Sequence, residues 1–512
     1  MSRTKMILLM IFVIAAGVRL FDALHPIDHA SWRESDIGSI SRNFVREDMD
    51  PLMPRIDWRG DGPGFAEMEL PAYPWLIAVS YKMFGINDIL GRVINLLFSI
   101  GTLIFFYRLA RKYLDGYGAV LAFAFFAFNP LVFESATSVQ PEGLTMLAYV
   151  GAAYFFARWR QSDKDTDLAA AALFTALAIL AKATAAHIGI LFAITFIERY
   201  GWNVVKQLRV YAFAIVTLLP AAIWYIHAKG LWKTYGNSLG VSNEYHWIGL
   251  DFFTNSYFIK GIAANELFYV WTISGAVIAL FGIITGFRQR TARYCVAWLA
   301  SISLFLLIAA RTTADDWASY YHIFAVAPAA ILFGFGFQKI ADLARRSADT
   351  FSDRLVVSNL IRFAFIALLA MIGISAYLIE ARAVRAHIAD MRKPDPSYTQ
   401  AAAIKPRLTS QGLILSSGGK CVDDDGYALA YNVSFMFYWL DRKGWNICTQ
   451  DQSLANVDAF AKKGAVYFVA QRSTIAQKTG FTEELRARFP VDAETDDFIV
   501  FGLTQDMISA SR

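Results

Sequence analysis

The sequence predicts an α-helical polytopic membrane protein of about eleven transmembrane helices, followed by a small soluble α/β domain. Three observations predict it. Of 512 residues, 56% are hydrophobic and only 18% are charged, against roughly 25% charged in an ordinary soluble domain, and mean hydropathy is +0.39. Apolar runs of bilayer-crossing length recur along the chain, with basic residues gathered after alternate ones. Beyond about residue 390 the composition turns to Asp, Lys, Gly and Ser, with no run able to span. These figures exclude a disordered chain, a coiled coil, a collagen-like chain and a small disulfide scaffold. The net charge of +5 is spread in short groups rather than along one stripe, which gives no nucleic-acid surface.

The first element is the apolar run from Met6 to about Leu24, preceded by Arg3 and Lys5. Ala15, Ala16 and Gly17 are small, as at a signal-peptide cleavage site, but further spans follow, so a retained first span is expected. Ten more segments read as spans: 89–110, 117–134, 142–158, 167–183, 185–199, 210–228, 266–287, 294–310, 320–340 and 358–378. Basic groups at 108–112, 158–164, 199–209, 288–293 and 339–346 mark cytoplasmic loops. Eleven spans then place the N-terminus inside and the tail outside, which in a bacterial inner membrane is the periplasm. Residues 71–85 are apolar but short and contain two prolines. Counting them as a span would invert the charge pattern, so they are expected to form an interfacial or re-entrant helix.

Three pieces lie on the outer side: a first loop at 25–88, a middle loop at 229–265, and the tail. The domains are accordingly 1–389, membrane-embedded, and 390–512, soluble. In the tail, apolar runs at 412–416, 465–470 and 498–503 read as buried strands, and helical patterns fall at 427–441, 453–463 and 481–488. Of the three cysteines, Cys421 and Cys448 lie in the tail, where an oxidising compartment permits a disulfide. No CxxC and no Cys/His cluster indicates a metal site.

The first loop is the most informative. Ile37, Ile40 and Phe44 recur at helical spacing, which predicts an amphipathic helix over 33–46. Glu34 and Asp36 stand near its start, where carboxylates suit the helix dipole, and Arg33 and Arg42 can be solvated or meet lipid head groups. A glycine-rich turn follows in RIDWRGDGPG. Later polar groups are Glu142 at the start of a span, Lys182 at the end of another, and Tyr320, Tyr321 and His322 near a third. Capping, snorkelling and an aromatic belt would explain each of them singly. The proposed topology puts them all on the outer side. Together they make a site for a lipid phosphate attached to something polar, with cations holding the phosphate and a carboxylate taking a hydroxyl proton.

This order of features resembles the GT-C-fold glycosyltransferases that use polyprenyl-phosphate sugars, which include the protein O-mannosyltransferases and the bacterial lipid A aminoarabinose transferases. The likeness rests on His29, Trp32, Arg33, Asp36, Arg42-Asn43-Phe44, the IDWRGDGPG turn, and ELPAYPWLIAVSYKMFG with Gly91-Arg92 after it. Gln140-Pro141-Glu142, Lys182 and Tyr320-Tyr321-His322 continue it, so that it covers about residues 1–340. The resemblance implies a GT-C membrane domain and an inverting transfer from a polyprenyl-phosphate-linked sugar to a glycan, lipid or protein hydroxyl. It implies Asp36 as the base, with Glu34 second. Arg33, Arg42, Arg92, Glu142, Lys182, Tyr320, Tyr321 and His322 would bind substrate. The aminoarabinose transferases carry a phosphate-binding lysine where this chain has Leu70, so Lys182 or Arg92 would substitute. Relatives commonly have an Asp at the place of Glu142. Some relatives use a divalent cation and others do not, and no Asp-x-Asp in the first loop decides it, so no cofactor is firmly implied. A transporter or flippase of a lipid-linked sugar is the alternative function. It explains the spans and the phosphate-binding groups, but not the large first loop or the tail. A non-catalytic envelope scaffold is a third.

Overall fold

The structure, a computed structural model, describes residues 3–350, 360, 393–424 and 426–504. The span expected at 358–378 falls, apart from Leu360, outside the described residues. From residue 3 to 350 the chain forms fifteen α-helices. They are α1 Arg3–Asp22, α2 Trp32–Arg46, α3 Ala72–Phe84, α4 Ile89–Tyr113, α5 Gly116–Ala127, α6 Pro130–Thr137, α7 Glu142–Ser162 and α8 Asp165–Ala181. Then follow α9 Ile188–Tyr200, α10 Leu208–Tyr235, α11 Ser256–Asn265, α12 Ile273–Gly286, α13 Arg290–Ile308, the single turn α14 Ala310–Thr313 and α15 Ile323–Thr350.

The chain is a multi-pass membrane protein. Among the described residues six helices are long and apolar enough to cross a bilayer, and two bent pairs raise the number to at most eight. The segments expected to span at 142–158 and 167–183 form helices, α7 and α8, but neither is among those candidates. Helix α8 is only 17 residues long, and α7 carries Glu142, Arg158 and Arg160.

The two bends have local causes. The run at 117–134 breaks between α5 and α6 by 56°, where Asn129 caps α6 by accepting from the Leu131 N–H. The Asn129 amide also donates to the carbonyls of Tyr269 and Val270 at 2.9 and 3.1 Å. The buried Arg19 of α1 donates to the Ala127 carbonyl at 2.6 Å. Freed backbone groups are thus satisfied inside the protein, as a lipid environment demands. The second break, before α12, turns by 91°, and Thr272 caps it by accepting from the Gly275 N–H.

The described chain divides into two compact units. The first comprises Met1–Ala23, Asn95–Ile223 and Trp247–Asp390. Its core is helix on helix, with α15 packed among α5, α12 and α13. A Cβ on Gly282 would lie 2.7 Å from the Gly336 Cα, and one on Gly334 would lie 2.4 Å from the Gly118 carbonyl. These contacts of small residues bring the helix backbones close. A buried polar chain crosses this core. Trp298 Nε1 donates to the Tyr149 hydroxyl at 2.6 Å, which meets His187 Nε2 at 2.8 Å, while His187 Nδ1 faces the Thr184 carbonyl at 2.6 Å. Every member is satisfied when His187 carries its proton on Nδ1.

The second unit comprises Leu24–Ile94, Trp224–His246 and Met391–Arg512. The tail therefore shares its unit with the first loop. Its sheet holds five strands: β3 Leu413–Ser417, β4 Gly444–Ile447, β5 Ala465–Gln471, β6 Val491–Glu494 and β7 Phe498–Gly502. Their order is β4-β3-β5-β7-β6, with β3 parallel to β4 and β5 and with β7 antiparallel to both its neighbours. The three apolar runs of the tail form β3, β5 and β7. The short strands β4 and β6 carry no such run. The helix expected at 427–441 begins only at Ser434. The preceding loop is fixed instead by the Cys421–Cys448 disulfide, with Cα atoms 5.5 Å apart. A two-strand pairing, β1 Ala66–Glu67 with β2 Asn237–Ser238, joins the first loop to the segment after α10.

Candidate active site

In the second unit the site is built on α2. Ser31 caps the helix by accepting from the Glu34 N–H at 3.3 Å. Its apolar positions Ile37, Ile40 and Phe44 are buried, but so are most of its polar ones. The face opposite the apolar stripe is therefore covered by protein rather than by water. The cover is the tail helix 434–440: Ser434 Oγ donates to the Trp32 carbonyl, and Tyr438 packs on Gly38, where a Cβ would lie 2.6 Å from the ring.

The two acids of α2 differ sharply. Glu34 is held by Arg92, whose NH1 and NH2 donate to Oε1 and Oε2 at 3.3 Å each. Arg92 also donates to the carbonyls of His25 and Pro26, so this pair is a closed, buried unit. Asp36 is 0% exposed, and its Oδ1 accepts from Trp58 Nε1 at 2.9 Å. Its Oδ2 has no hydrogen-bond partner of normal geometry, and the Ser434 hydroxyl, which donates to the Trp32 carbonyl, exerts the weakest pull on the carboxylate. Burial pushes the Asp36 carboxyl up to about 7, against the opposing pull of the Trp58 hydrogen bond and the Arg33 charge, with Asp57 adding to the rise. A buried carboxylate with one open oxygen and a pKa near neutrality has the properties of a general base.

The arginines do other work here. Arg33 pairs with Glu69. Arg42 turns to the tail, donating to the Tyr438 carbonyl at 3.0 Å with its guanidinium 3.7 Å from the Tyr438 ring centroid, and it meets Asp441 at 3.3 Å. Trp58, Glu67 and Glu244 are not among the site residues expected from the sequence. Glu67 is buried and accepts from Ser238 and Ser242, and the buried oxygens of Glu244 have no partner. Both acids act on Tyr245 together with Asp36, and burial pushes the Tyr245 hydroxyl up, with Glu244 adding to the rise. The turn-rich composition of the first loop was a signal for Trp58. None existed for Glu244, which lies outside the first loop.

The first unit holds the other candidates. Lys182 sits in extended backbone between α8 and the 3-10 turn Ala183–His187, which ends the helix and frees its side chain. Its ammonium pairs with Glu142 at the first position of α7 and lies 4.5 and 4.4 Å from the ring centroids of Tyr320 and Tyr321. Lys182 and Glu142 are both buried, and Glu142 Oε2 has no partner. Lys182, Glu142, Tyr320 and Tyr321 thus form one centre, with a cation that aromatic faces and a carboxylate compensate. His322 lies beside it in sequence, but both ring nitrogens are engaged, with Glu266 and with the Thr313 carbonyl, each at 2.8 Å.

Among the described residues the one group of three potential metal ligands is Cys421, Cys448 and Asp451. Its sulfurs are joined in the disulfide, so that donor set does not fit a cation.

Residues 63–225 match the family described as dolichyl-phosphate-mannose-protein mannosyltransferase. No curated protein sequence matches the chain. Among solved structures the chain is similar to ArnT from Cupriavidus metallidurans bound to undecaprenyl phosphate, with TM-score 0.61, 16% identity and 99% of each chain covered. It is also similar to an Archaeoglobus fulgidus oligosaccharyltransferase tethered to an acceptor peptide, with TM-score 0.55, 14% identity, and 91% of this chain and 69% of that one covered. A third likeness is to AglB of the same organism with an inhibitory peptide and a dolichol-phosphate, with TM-score 0.56, 12% identity, and coverage of 92% and 70%. At these identities the likeness is one of fold: the chain has the GT-C fold.

Proposed function

We propose that this chain is an inverting glycosyltransferase that moves a sugar from a polyprenyl-phosphate donor to a hydroxyl acceptor at the periplasmic face of a bacterial inner membrane. The observation that carries the proposal is Asp36: fully buried, open at Oδ2, and with its pKa pushed up to about 7. The undecaprenyl phosphate held by the similar Cupriavidus ArnT supports a polyprenyl phosphate as carrier. The mannosyltransferase family match over residues 63–225 supports transfer of a sugar from such a carrier.

In this reading Asp36 Oδ2 accepts the proton of the acceptor hydroxyl as its oxygen attacks the anomeric carbon. The bond between that carbon and the phosphate oxygen breaks, and its electron pair leaves with polyprenyl phosphate. Attack opposite the leaving group inverts the anomeric centre. A departing phosphate needs a cation to hold its charge; within the first unit Lys182, beside Tyr320 and Tyr321, is a cation that would exchange part of its contact with Glu142 for a phosphate. Arg92, committed to Glu34, and Arg42, committed to the tail, act through the shape of α2. The alternation of basic loops supports a cytoplasmic N-terminus, and α7 and α8 would add two crossings to the eight that length and apolarity identify.

The test is reconstitution in liposomes with a polyprenyl-phosphate sugar and an extract of envelope acceptors. Release of polyprenyl phosphate together with a glycosylated acceptor of inverted configuration is the expected result. Translocation of intact donor without bond cleavage would refute the transferase.

A further inference from the structure

The first unit carries a second cluster of charge that the proposed reaction does not use. Arg160 near the end of α7, Glu198 and Arg199 on α9, and Arg290, Arg293 and Tyr294 at the start of α13 line a cavity of about 570 Å³. That volume suits a small-molecule ligand. Arg160 donates to Glu198 at 2.7 Å, and Arg199 pairs with Asp163 at 2.7 Å, an acid that Arg209 also engages. Arg290 and Arg293 are exposed and make no ion pair among the described residues. Four guanidinium groups thus line the cavity with one carboxylate, Glu198, leaving an excess of positive charge. Tyr294 is buried in the wall 5.6 Å from the Arg160 guanidinium, and its hydroxyl has no hydrogen-bond partner of normal geometry.

The position is as telling as the charge. Glu142 opens α7 and Arg160 lies near its other end. At 1.5 Å per residue the cavity lies about 27 Å along the helix from the Lys182–Glu142 pair. That is close to the roughly 30 Å thickness of a bilayer's hydrocarbon core. In the chain flanking Glu198 and Arg199, Ile197, Trp202, Val205 and Leu208 are exposed large apolar residues. A guanidinium cluster with apolar surface next to it fits a phosphate that carries acyl chains.

We infer that this cavity is an anion site for a phosphate group, occupied by the head group of an anionic phospholipid, at the membrane edge opposite the Lys182 centre. The guanidinium forks of Arg290 and Arg293 contact the phosphate oxygens, and the Tyr294 hydroxyl supplies a further donor.

The full chain, purified and delipidated in detergent, tests this by native mass spectrometry and thermal unfolding with added phosphatidylglycerol, phosphatidylcholine or inorganic phosphate. The variants are Arg290→Gln with Arg293→Gln, and Arg288→Gln as an exposed control. Wild type and control should retain phosphatidylglycerol and gain several degrees in Tm. The double variant should bind it at least fivefold more weakly, with an unchanged Tm in phosphatidylcholine. Protection of wild type, but not of the double variant, by inorganic phosphate alone would keep the phosphate site and assign it to a soluble ion. Should the double variant not fold, Arg293→Gln alone should show the weakening. Equal phosphatidylglycerol binding by wild type and every folded arginine variant overturns the inference.

Discussion

At the scale of single residues, two carboxylates two positions apart on one helix have opposite fates. Glu34 is closed by a two-pronged arginine, and Asp36 keeps one oxygen open. Glu34→Gln should therefore act on folding. It leaves Arg92 buried without its charge partner, at a cost of about 3–5 kcal/mol, so a fall in Tm and in folded yield is expected. A normally folded, fully inactive Glu34→Gln would instead move the base to Glu34. Asp36 should show the reverse pattern. Its folded pKa is raised to about 7 from the ordinary 3.8, so between those values the unfolded chain loses the proton first. Ionisation of Asp36 thus destabilises the fold, with a penalty that grows above about pH 4 and is complete above about pH 7. Asp36→Asn should raise Tm by several degrees at pH 8 and leave it unchanged at pH 4, measured by thermal unfolding at both. The sequence made both acids visible but could not rank them, because Arg92 and Trp58 reach them from 58 and 22 residues away.

At the scale of elements, α2 was readable from Ile37, Ile40 and Phe44, and the tail strands β3, β5 and β7 from their apolar runs. What escaped was the covering of the polar face of α2 by the tail. The contacts of Arg42 with Tyr438 and of Arg46 with Asp441 join residues nearly 400 apart, and no local pattern encodes such a pairing. The breaks at Asn129 and Thr272 escaped for a different reason: hydropathy registers length and apolarity, and a capped kink changes neither. The fit of Tyr438 on Gly38 gives a direct test. Gly38→Ala would drive a Cβ to 2.6 Å from the ring, and such overpacking typically costs about 1–3 kcal/mol. A lower Tm is expected, and an unchanged one would show that the helix shifts freely. Glu47 supplies a second test of the same junction. Burial works against its charge, yet hydrogen bonds from Arg59, Lys443 and Arg55 hold its carboxyl down at about 2. Its folded value is depressed, so its contribution is present above about pH 4.5 and lost as pH falls toward 2. Glu47→Gln should therefore flatten the acid limb of the stability profile.

At the scale of the whole molecule, composition and charge announced a multi-pass protein with a soluble tail, and the fold is of the GT-C type. The sequence treated the tail as a separate domain after residue 389. In the structure the compact second unit draws on three stretches of chain, with the tail sheet, the first loop and residues 224–246 folded together. A tail that shares its unit with the proposed base should couple to activity through structure. The Cys421–Cys448 bridge closes a loop with a sequence separation of 27, for which loop entropy suggests about 3–4 kcal/mol. Reduction, or replacement of both cysteines by serine, should lower the unfolding temperature of the second unit while the first keeps its own.

The central claim is that Asp36 takes the proton from the acceptor hydroxyl. The most direct measurement is the rate of polyprenyl phosphate release against pH, from 5 to 9, for wild type and Asp36→Asn at matched folded concentration. The account predicts a wild-type rate that rises with pH and reaches half its plateau near pH 7, where Asp36 ionises. It predicts that Asp36→Asn is slower by at least about 100-fold, in line with the loss of a general base. An Asp36→Asn protein that keeps the wild-type rate, or the same rising limb near pH 7, would contradict it.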